Sequence, residues 1–155
     1  MPLGGFAINK VMDILISFLL IVSAFEVMFS IFGIYVLVQE KSVSEKDIRG
    51  LDESTKEYKD KIFPYLMLKD IVLKGFIQNI PSIIGGGILL FSLINYSGVI
   101  RSIGFFIIGF NGIFRMAFRS IYIPEEYYFA GRKVLGNVLF TLFMWGFAIY
   151  SLTGN

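Results

Sequence analysis

The sequence contains neither cysteine nor histidine. Without cysteine there can be no disulfides, dithiol redox chemistry, thiolate metal sites or palmitoylation. Without histidine the chain lacks the usual general base near neutral pH and the commonest protein ligand of haem, zinc and copper. Together the two absences exclude many classes of membrane enzyme.

Signatures of nucleotide binding and hydrolysis are missing as well. There is no P-loop, Rossmann glycine fingerprint, GxSxG elbow or HExxH helix. The run of glycines at 85–87 lies inside an apolar stretch and has no following Lys-Ser/Thr pair, so it is not a phosphate cradle. We therefore predict a chain that is not an enzyme, with no catalytic residues, metal site or cofactor. Its basic residues are interleaved with acids, so nucleic acid is not expected as a partner.

Apolar residues dominate what remains. The 155 residues, enough for a single domain, are 55% hydrophobic and 17% aromatic, and the mean hydropathy is +0.72. Much of this apolarity lies in four blocks at about 11–38, 69–94, 99–118 and 134–152, each long enough to cross about 30 Å of hydrocarbon. The blocks are apolar nearly all round, unlike the helices of a soluble bundle. The sequence predicts an all-α integral membrane protein with four transmembrane helices and short loops.

Two segments outside these blocks are polar or amphipathic. Residues 39–63 are the only long hydrophilic stretch, expected to be a cytoplasmic loop with little tertiary structure. The alternative is a short solvated helix, because Ser54 and Glu57 have capping-box spacing and Pro64 follows. Residues 120–133 combine a proline, two glutamates and several aromatic residues, which predicts a segment lying among lipid headgroups.

The basic residues predict the orientation. Eight Lys or Arg fall within 39–74 and four within 115–133, whereas the other side carries only Lys10 and Arg101. By the positive-inside rule the loops at 39–70 and 115–133 are cytoplasmic and both termini are outside.

The second block has a polar face in its first half. Asp70, Lys74, Gln78 and Ser82 recur every four residues, so they share one side of a helix. Far from the interface such side chains should face protein or water rather than lipid. Pro81 predicts a kink at the border between this half and the glycine-rich half.

Glu26 is the most unusual residue because it lies near the middle of the first block. A carboxylate at that depth has to be protonated, paired or next to water. Helical rise allows a layer of intramembrane polar residues, with Arg115 below it. The predicted members are Glu26, Ser82, Asn111 and Thr141, and Gln78 on the polar face of the second block is a further intramembrane polar residue. The layer either carries an ion, a proton or a polar substrate, or it only fixes the packing of helices or of a partner subunit.

Small residues predict close helix contacts between the second and third blocks. The residues assigned to helix packing are Gly85, Gly86, Gly87, Gly104, Gly109 and Gly112. A separate set of basic residues forms a candidate lipid-headgroup site, consisting of Arg115, Arg119, Arg132 and Lys133 beside tyrosines. The simpler interpretation is that these cations only set orientation and anchor the helix ends.

These features favour a non-enzymatic membrane subunit. The expected partners are the lipid bilayer, other membrane-protein subunits or further copies of this chain, with anionic lipids as an additional candidate. The alternative function is a small oligomeric ion or proton channel, or a transporter, using Glu26 and the polar face of the second helix. A lipid-handling enzyme ranks third.

Overall fold

Four α-helices make up the fold. The computed structural model describes residues 3–124 and 134–153, with side chains from residue 9 onward. Its helices are α1 (Leu3–Asp47), α2 (Lys56–Asn95), α3 (Gly98–Ala117) and α4 (Val134–Thr153). Each is long and apolar enough to cross a membrane. The prediction of an all-helical chain with four such helices is confirmed.

The first two helices are about twice as long as the other two. α1 has 45 residues and α2 has 40, whereas α3 and α4 have 20 each. Residues 39–47 continue α1, and residues 56–63 already belong to α2. The expected loop over 39–63 is therefore wrong except at residues 48–55. The glutamates and lysines that make this stretch hydrophilic are also good helix formers, so its polarity did not imply an irregular backbone.

The turn between α1 and α2 is held by local hydrogen bonds. Gly50 adopts a φ of 87°, which a residue with a side chain rarely tolerates. Asp52 accepts hydrogen bonds from the backbone N–H and hydroxyl of Ser54 at 2.9 and 2.8 Å, and these hold the pKa of its carboxyl below the usual range. Thr55 caps α2 by accepting from the N–H of Tyr58 at 3.2 Å. The cap thus lies one residue after the predicted Ser54.

α2 continues through both of its prolines. A proline inside a helix deprives the carbonyl four residues earlier of its partner. For Pro64 that carbonyl belongs to Asp60, which is exposed and can bind water instead. Because α2 runs through Pro64 to Asn95, the prediction that a helix ends at Pro64 is wrong.

Consecutive helices pack against each other in the order α1–α2, α2–α3 and α3–α4. Among the described residues, no Cα atom of α1 comes within 8 Å of α3 or α4. Side chains of all four helices nevertheless meet in one apolar cluster. Its buried members are Met12, Ile16, Leu19, Leu89, Phe105, Ile108, Met144 and Ala148.

Glycines allow the helices to approach one another closely where they pack. On α2, a Cβ at Gly85 would lie 2.5 Å from Ile108 Cγ1 and 2.8 Å from the Gly104 carbonyl of α3, while a Cβ at Gly86 would lie 2.6 Å from Ser23 Oγ of α1. Neighbouring glycines of α2 therefore allow two different helices, α3 and α1, to pack closely against it. Gly87 is exposed and meets nothing within 4 Å.

The contact between α3 and α4 depends on two more glycines. A Cβ at Gly109 would collide with the indole of Trp145, and one at Gly112 with the backbone carbonyl of Asn137. Small residues let two backbones approach closely in an apolar medium. All three helix contacts therefore contain at least one glycine without room for a side chain.

We predict that Gly85→Ala destabilises the fold by about 1–3 kcal/mol, because the new methyl group meets a backbone carbonyl that cannot rotate away. Gly87→Ala is the matched control in the same helix. It should be neutral or stabilise by up to about 1 kcal/mol, because alanine favours helix and the space beside residue 87 is open. Unfolding free energies of both variants in lipid bicelles measure the difference. Equal effects would contradict this account of the α2–α3 contact.

α1 and α2 extend well past α3. Glu26 is level with Arg115, two residues before the end of α3, because the two side chains are joined by a salt bridge. The 21 residues of α1 that follow Glu26 span about 30 Å at 1.5 Å per residue. We call residues 27–47 of α1, together with the α2 residues beside them, the hairpin extension. Gly33 packs against Val72 within it.

Candidate functional site

The peptide groups around Ser82 join three helices. The backbone N–H of Ser82 donates to Oδ1 of Asn111 in α3 at 3.0 Å. Its carbonyl accepts from the hydroxyl of Ser23 in α1 at 3.0 Å, and the two serine hydroxyls lie 3.2 Å apart. All three residues are buried. Pro81 directly precedes this junction, in a turn of α2 where the proline has removed one backbone donor.

Glu26 completes this buried group. Its Oε1 accepts from Nη2 of Arg115 at 3.1 Å, and the Ser82 hydroxyl lies beside the carboxylate. The side chain of Glu26 is 12% exposed and that of Arg115 is 30% exposed. The second oxygen, Oε2, is buried and has no hydrogen-bond partner among the described residues. We call Ser23, Glu26, Ser82, Asn111 and Arg115 the polar junction.

A second salt bridge joins the same two helices nearer their N-termini. Nη2 of Arg101 lies 2.9 Å from Oδ1 of Asp13. The two acids of α1 are 13 residues apart and the two arginines of α3 are 14 apart, so parallel helices can form both pairs at once. Long side chains thus connect α1 to α3 where the backbones do not touch.

Thr141 belongs to a different contact from the rest of the predicted polar layer. Its hydroxyl donates to the Gly109 carbonyl at 2.7 Å, and Nε1 of Trp145 donates to the Phe106 carbonyl at 3.1 Å. Both hydrogen bonds join α4 to α3. The structure therefore brings together Glu26, Ser82 and Asn111 but shows no bond from Thr141 to them.

Ser23 and Asn137 are among the buried polar residues that were not singled out from the sequence. Ser23 lies one turn before Glu26 on the same face of α1. Asn137 lies one turn before Thr141, is 1% exposed, and its Nδ2 is buried without a hydrogen-bond partner in the described part of the chain. Helical spacing from a residue already selected would have found both.

The remaining polar face of α2 is covered by the segment after α3. Gln78 donates to the Phe118 carbonyl at 2.8 Å, and Asp70 accepts from the Ser120 hydroxyl at 2.9 Å. Asp70 also pairs with Lys74 at 2.7 Å. Gln78, which is predicted to face protein or water, thus faces the segment after α3 of this same chain.

The predicted lipid-headgroup site is only partly placed. Arg115 pairs with Glu26 in the polar junction, so it does not point only toward headgroups. Arg119 is exposed just beyond the end of α3. Arg132 and Lys133 lie outside the described residues, as does 125–133 of the predicted interfacial segment. Residues 120–124 are not helical.

Chemically, the polar junction combines a carboxylate, a guanidinium, hydroxyls and an amide. Charge pairing and cross-helix hydrogen bonds of this kind fix helices against one another. Oε2 of Glu26 is in addition able to accept one further hydrogen bond.

Comparison of the chain with protein-family models, with curated proteins and with solved structures gives no match. The function is therefore inferred from the geometry of this chain alone.

We predict that Arg115→Ala destabilises the protein by about 1–3 kcal/mol, because it leaves the Glu26 carboxylate in a mostly buried place without its counter-charge. Adding Glu26→Gln to Arg115→Ala should recover much of this loss, because an amide carries no charge to leave unpaired. A double-mutant cycle on unfolding free energies measures the coupling.

Arg49→Ala serves as the control for loss of one positive charge, since Arg49 is exposed in the turn between α1 and α2, and it should change stability by less than about 0.5 kcal/mol. Strict additivity of Arg115→Ala and Glu26→Gln would show that the ion pair does not hold α1 to α3.

Proposed function

We propose that this chain is a non-enzymatic, four-helix membrane protein that acts as a structural or accessory subunit. It packs through α1 against another membrane protein or against further copies of itself. One observation carries the proposal, namely the uncovered apolar side of α1 in the hairpin extension.

Large apolar side chains cover this part of α1 and touch little else in the described chain. Phe29, the most exposed of them, is 72% exposed. We define the α1 apolar face as Met28, Phe29, Ile31, Phe32, Ile34, Tyr35 and Val38, all of them exposed. Of the four candidate spans, α1 has the smallest buried share.

The length of α1, taken together with this exposure, supports the presence of a partner protein. Its apolar run at 11–38 is 28 residues long, or about 42 Å, whereas the 20 residues of α3 span about 30 Å. A bilayer matched to α3 and α4 leaves about 12 Å of apolar α1 beyond its hydrocarbon. Tilt and local thickening absorb part of such a mismatch, and helix association absorbs the rest.

The polar face of α2 does not contribute to this argument. Ser82 bonds to α1 and α3, and Gln78 and Asp70 bond to the segment that follows α3. Polar groups satisfied within the chain require no second subunit.

The sequence bias supports an orientation for this subunit. We place the turn at 48–55 and the end of α3 in the cytoplasm, and the turn between α2 and α3 outside. The hairpin extension, with its charged tip at 39–63, then projects toward the cytoplasm.

Single cysteines test this orientation, because the chain has none of its own. With a membrane-impermeant maleimide, Asn95→Cys should be labelled in intact cells and Ser54→Cys only after the membrane is opened. Both positions are exposed next to or within turns. Labelling in the reverse pattern would contradict the proposed orientation and indicate the opposite one.

The α1 apolar face is tested by replacing Phe29, Phe32 and Tyr35 together with alanine. The variant purified from its native membrane in mild detergent should lose its co-purifying subunits, or its homo-oligomer, by about tenfold, which corresponds to about 1.4 kcal/mol. Particle mass and subunit composition are the measurements.

The matched control replaces Leu90, Phe91 and Ile94 of α2, which are likewise exposed and apolar, with alanine. It should leave the assembly intact. A wild-type protein that is monomeric and without subunits in the same detergent would contradict the proposal.

A second function, an ion or proton path, is favoured by the unpartnered Oε2 of Glu26. It would appear as flux through liposomes that Glu26→Gln abolishes. The pairing of the other oxygen with Arg115 favours the structural role, because it places a fixed positive charge beside the site.

A further inference from the structure

An apolar cleft lies between α1 and α4, at the end of the bundle opposite the hairpin extension. Its volume is about 500 Å³. Its walls are formed by Val11 and Met12 of α1 and by Leu142, Phe143, Phe147 and Tyr150 of α4. Gly146 also lines the cleft, and nothing lies within 4 Å of the position its Cβ would take. The cleft lies between two helices that do not pack directly against each other, since no described Cα atom of α1 comes within 8 Å of α4.

Water is a poor occupant for this space. A buried water needs two to four polar partners, and the lining side chains offer only the Tyr150 hydroxyl. The cleft also opens between two candidate membrane spans, where the surroundings are hydrocarbon. An apolar molecule from the bilayer is therefore the natural occupant.

A helix from another chain is a poorer match to this cleft than an acyl chain. The three helix contacts inside this protein all use glycines without room for a Cβ. Here the walls are mostly bulky, and the single glycine faces open space.

Charges near the rim complement a phosphate. Lys10 directly precedes the lining residue Val11, and Arg101 pairs with Asp13 just after Met12. Lys10 and Arg101 thus place two cations at this end of α1 and α3. Tyr150 adds a hydroxyl at the same end, where tyrosines commonly lie at headgroup level.

We propose that the cleft binds one acyl chain of a phospholipid, with the phosphate at the rim formed by Lys10 and Tyr150. The chain extends from there along α4 toward Leu142. This site is independent of the α1 apolar face, since it involves the other end of α1 and needs no second protein.

The test uses a phosphatidylcholine with a diazirine in its acyl chain, in vesicles of phosphatidylcholine that contain the intact protein. Illumination should attach this lipid to residues 142–150 in wild-type protein. Gly146→Phe fills the cleft and should reduce this labelling by about tenfold, and Gly146→Leu should reduce it less. Gly87→Phe is the control, because Gly87 also faces open space but lies on α2.

The outcomes separate a lipid from other occupants. Unchanged labelling of residues 142–150 in Gly146→Phe and Gly146→Leu, with thermal stability equal to that of Gly87→Phe, overturns the proposal. So does a high yield of disulfide-linked dimers from Gly146→Cys but not from Gly87→Cys, because a second copy would then occupy the cleft. Co-release of one phospholipid with wild-type and Gly87→Phe protein, but not with Gly146→Phe, in native mass spectrometry supports it.

Discussion

Close backbone approach at α2 is the constraint on which the rest of this structure depends. In hydrocarbon, helices gain little by burying apolar surface, because lipid tails are as apolar as leucine. Attraction comes instead from dispersion at short range and from hydrogen bonds between helices. Gly85 brings α3 close and Gly86 brings α1 close, and this proximity lets Ser82 bond to both. A helix with larger residues at these two positions could hold neither neighbour at hydrogen-bonding distance.

The parts of the fold that could be predicted from the sequence follow from length and periodicity. Apolar runs revealed the four helices, because crossing hydrocarbon requires about 20 consecutive apolar residues. Spacing of four residues put Asp70, Lys74, Gln78 and Ser82 on one face, and three of them bond to the segment 118–120 or to residues of α1 and α3. Glu26 stood out because carboxylates are costly in the membrane.

What could not be predicted depends on which neighbour each face meets. The three glycines at 85–87 were grouped together, yet successive helical positions point about 100° apart, so each meets a different environment. Helical rise places Arg115 just below the level of Glu26, but nothing in its local sequence reveals that it pairs with Glu26, 89 positions earlier, instead of with headgroups. The helices at 39–47 and 56–63 were not the first prediction from the sequence for a similar reason, namely that packing neighbours are not visible in composition. In the structure much of 39–63 is helix at the ends of α1 and α2, and composition alone does not show which segments pair.

The two ion pairs between α1 and α3 also bear on the order in which the molecule is assembled. Asp13 and Glu26 are made before Arg101 and Arg115, which lie about 90 residues later in the chain. Until α3 is synthesised, the first helix carries two acids without their counter-charges. The counter-charges of both acids therefore come only with α3, and sliding α1 by one turn would break both pairs together. The third helix thus supplies the charges that hold the first helix in its register.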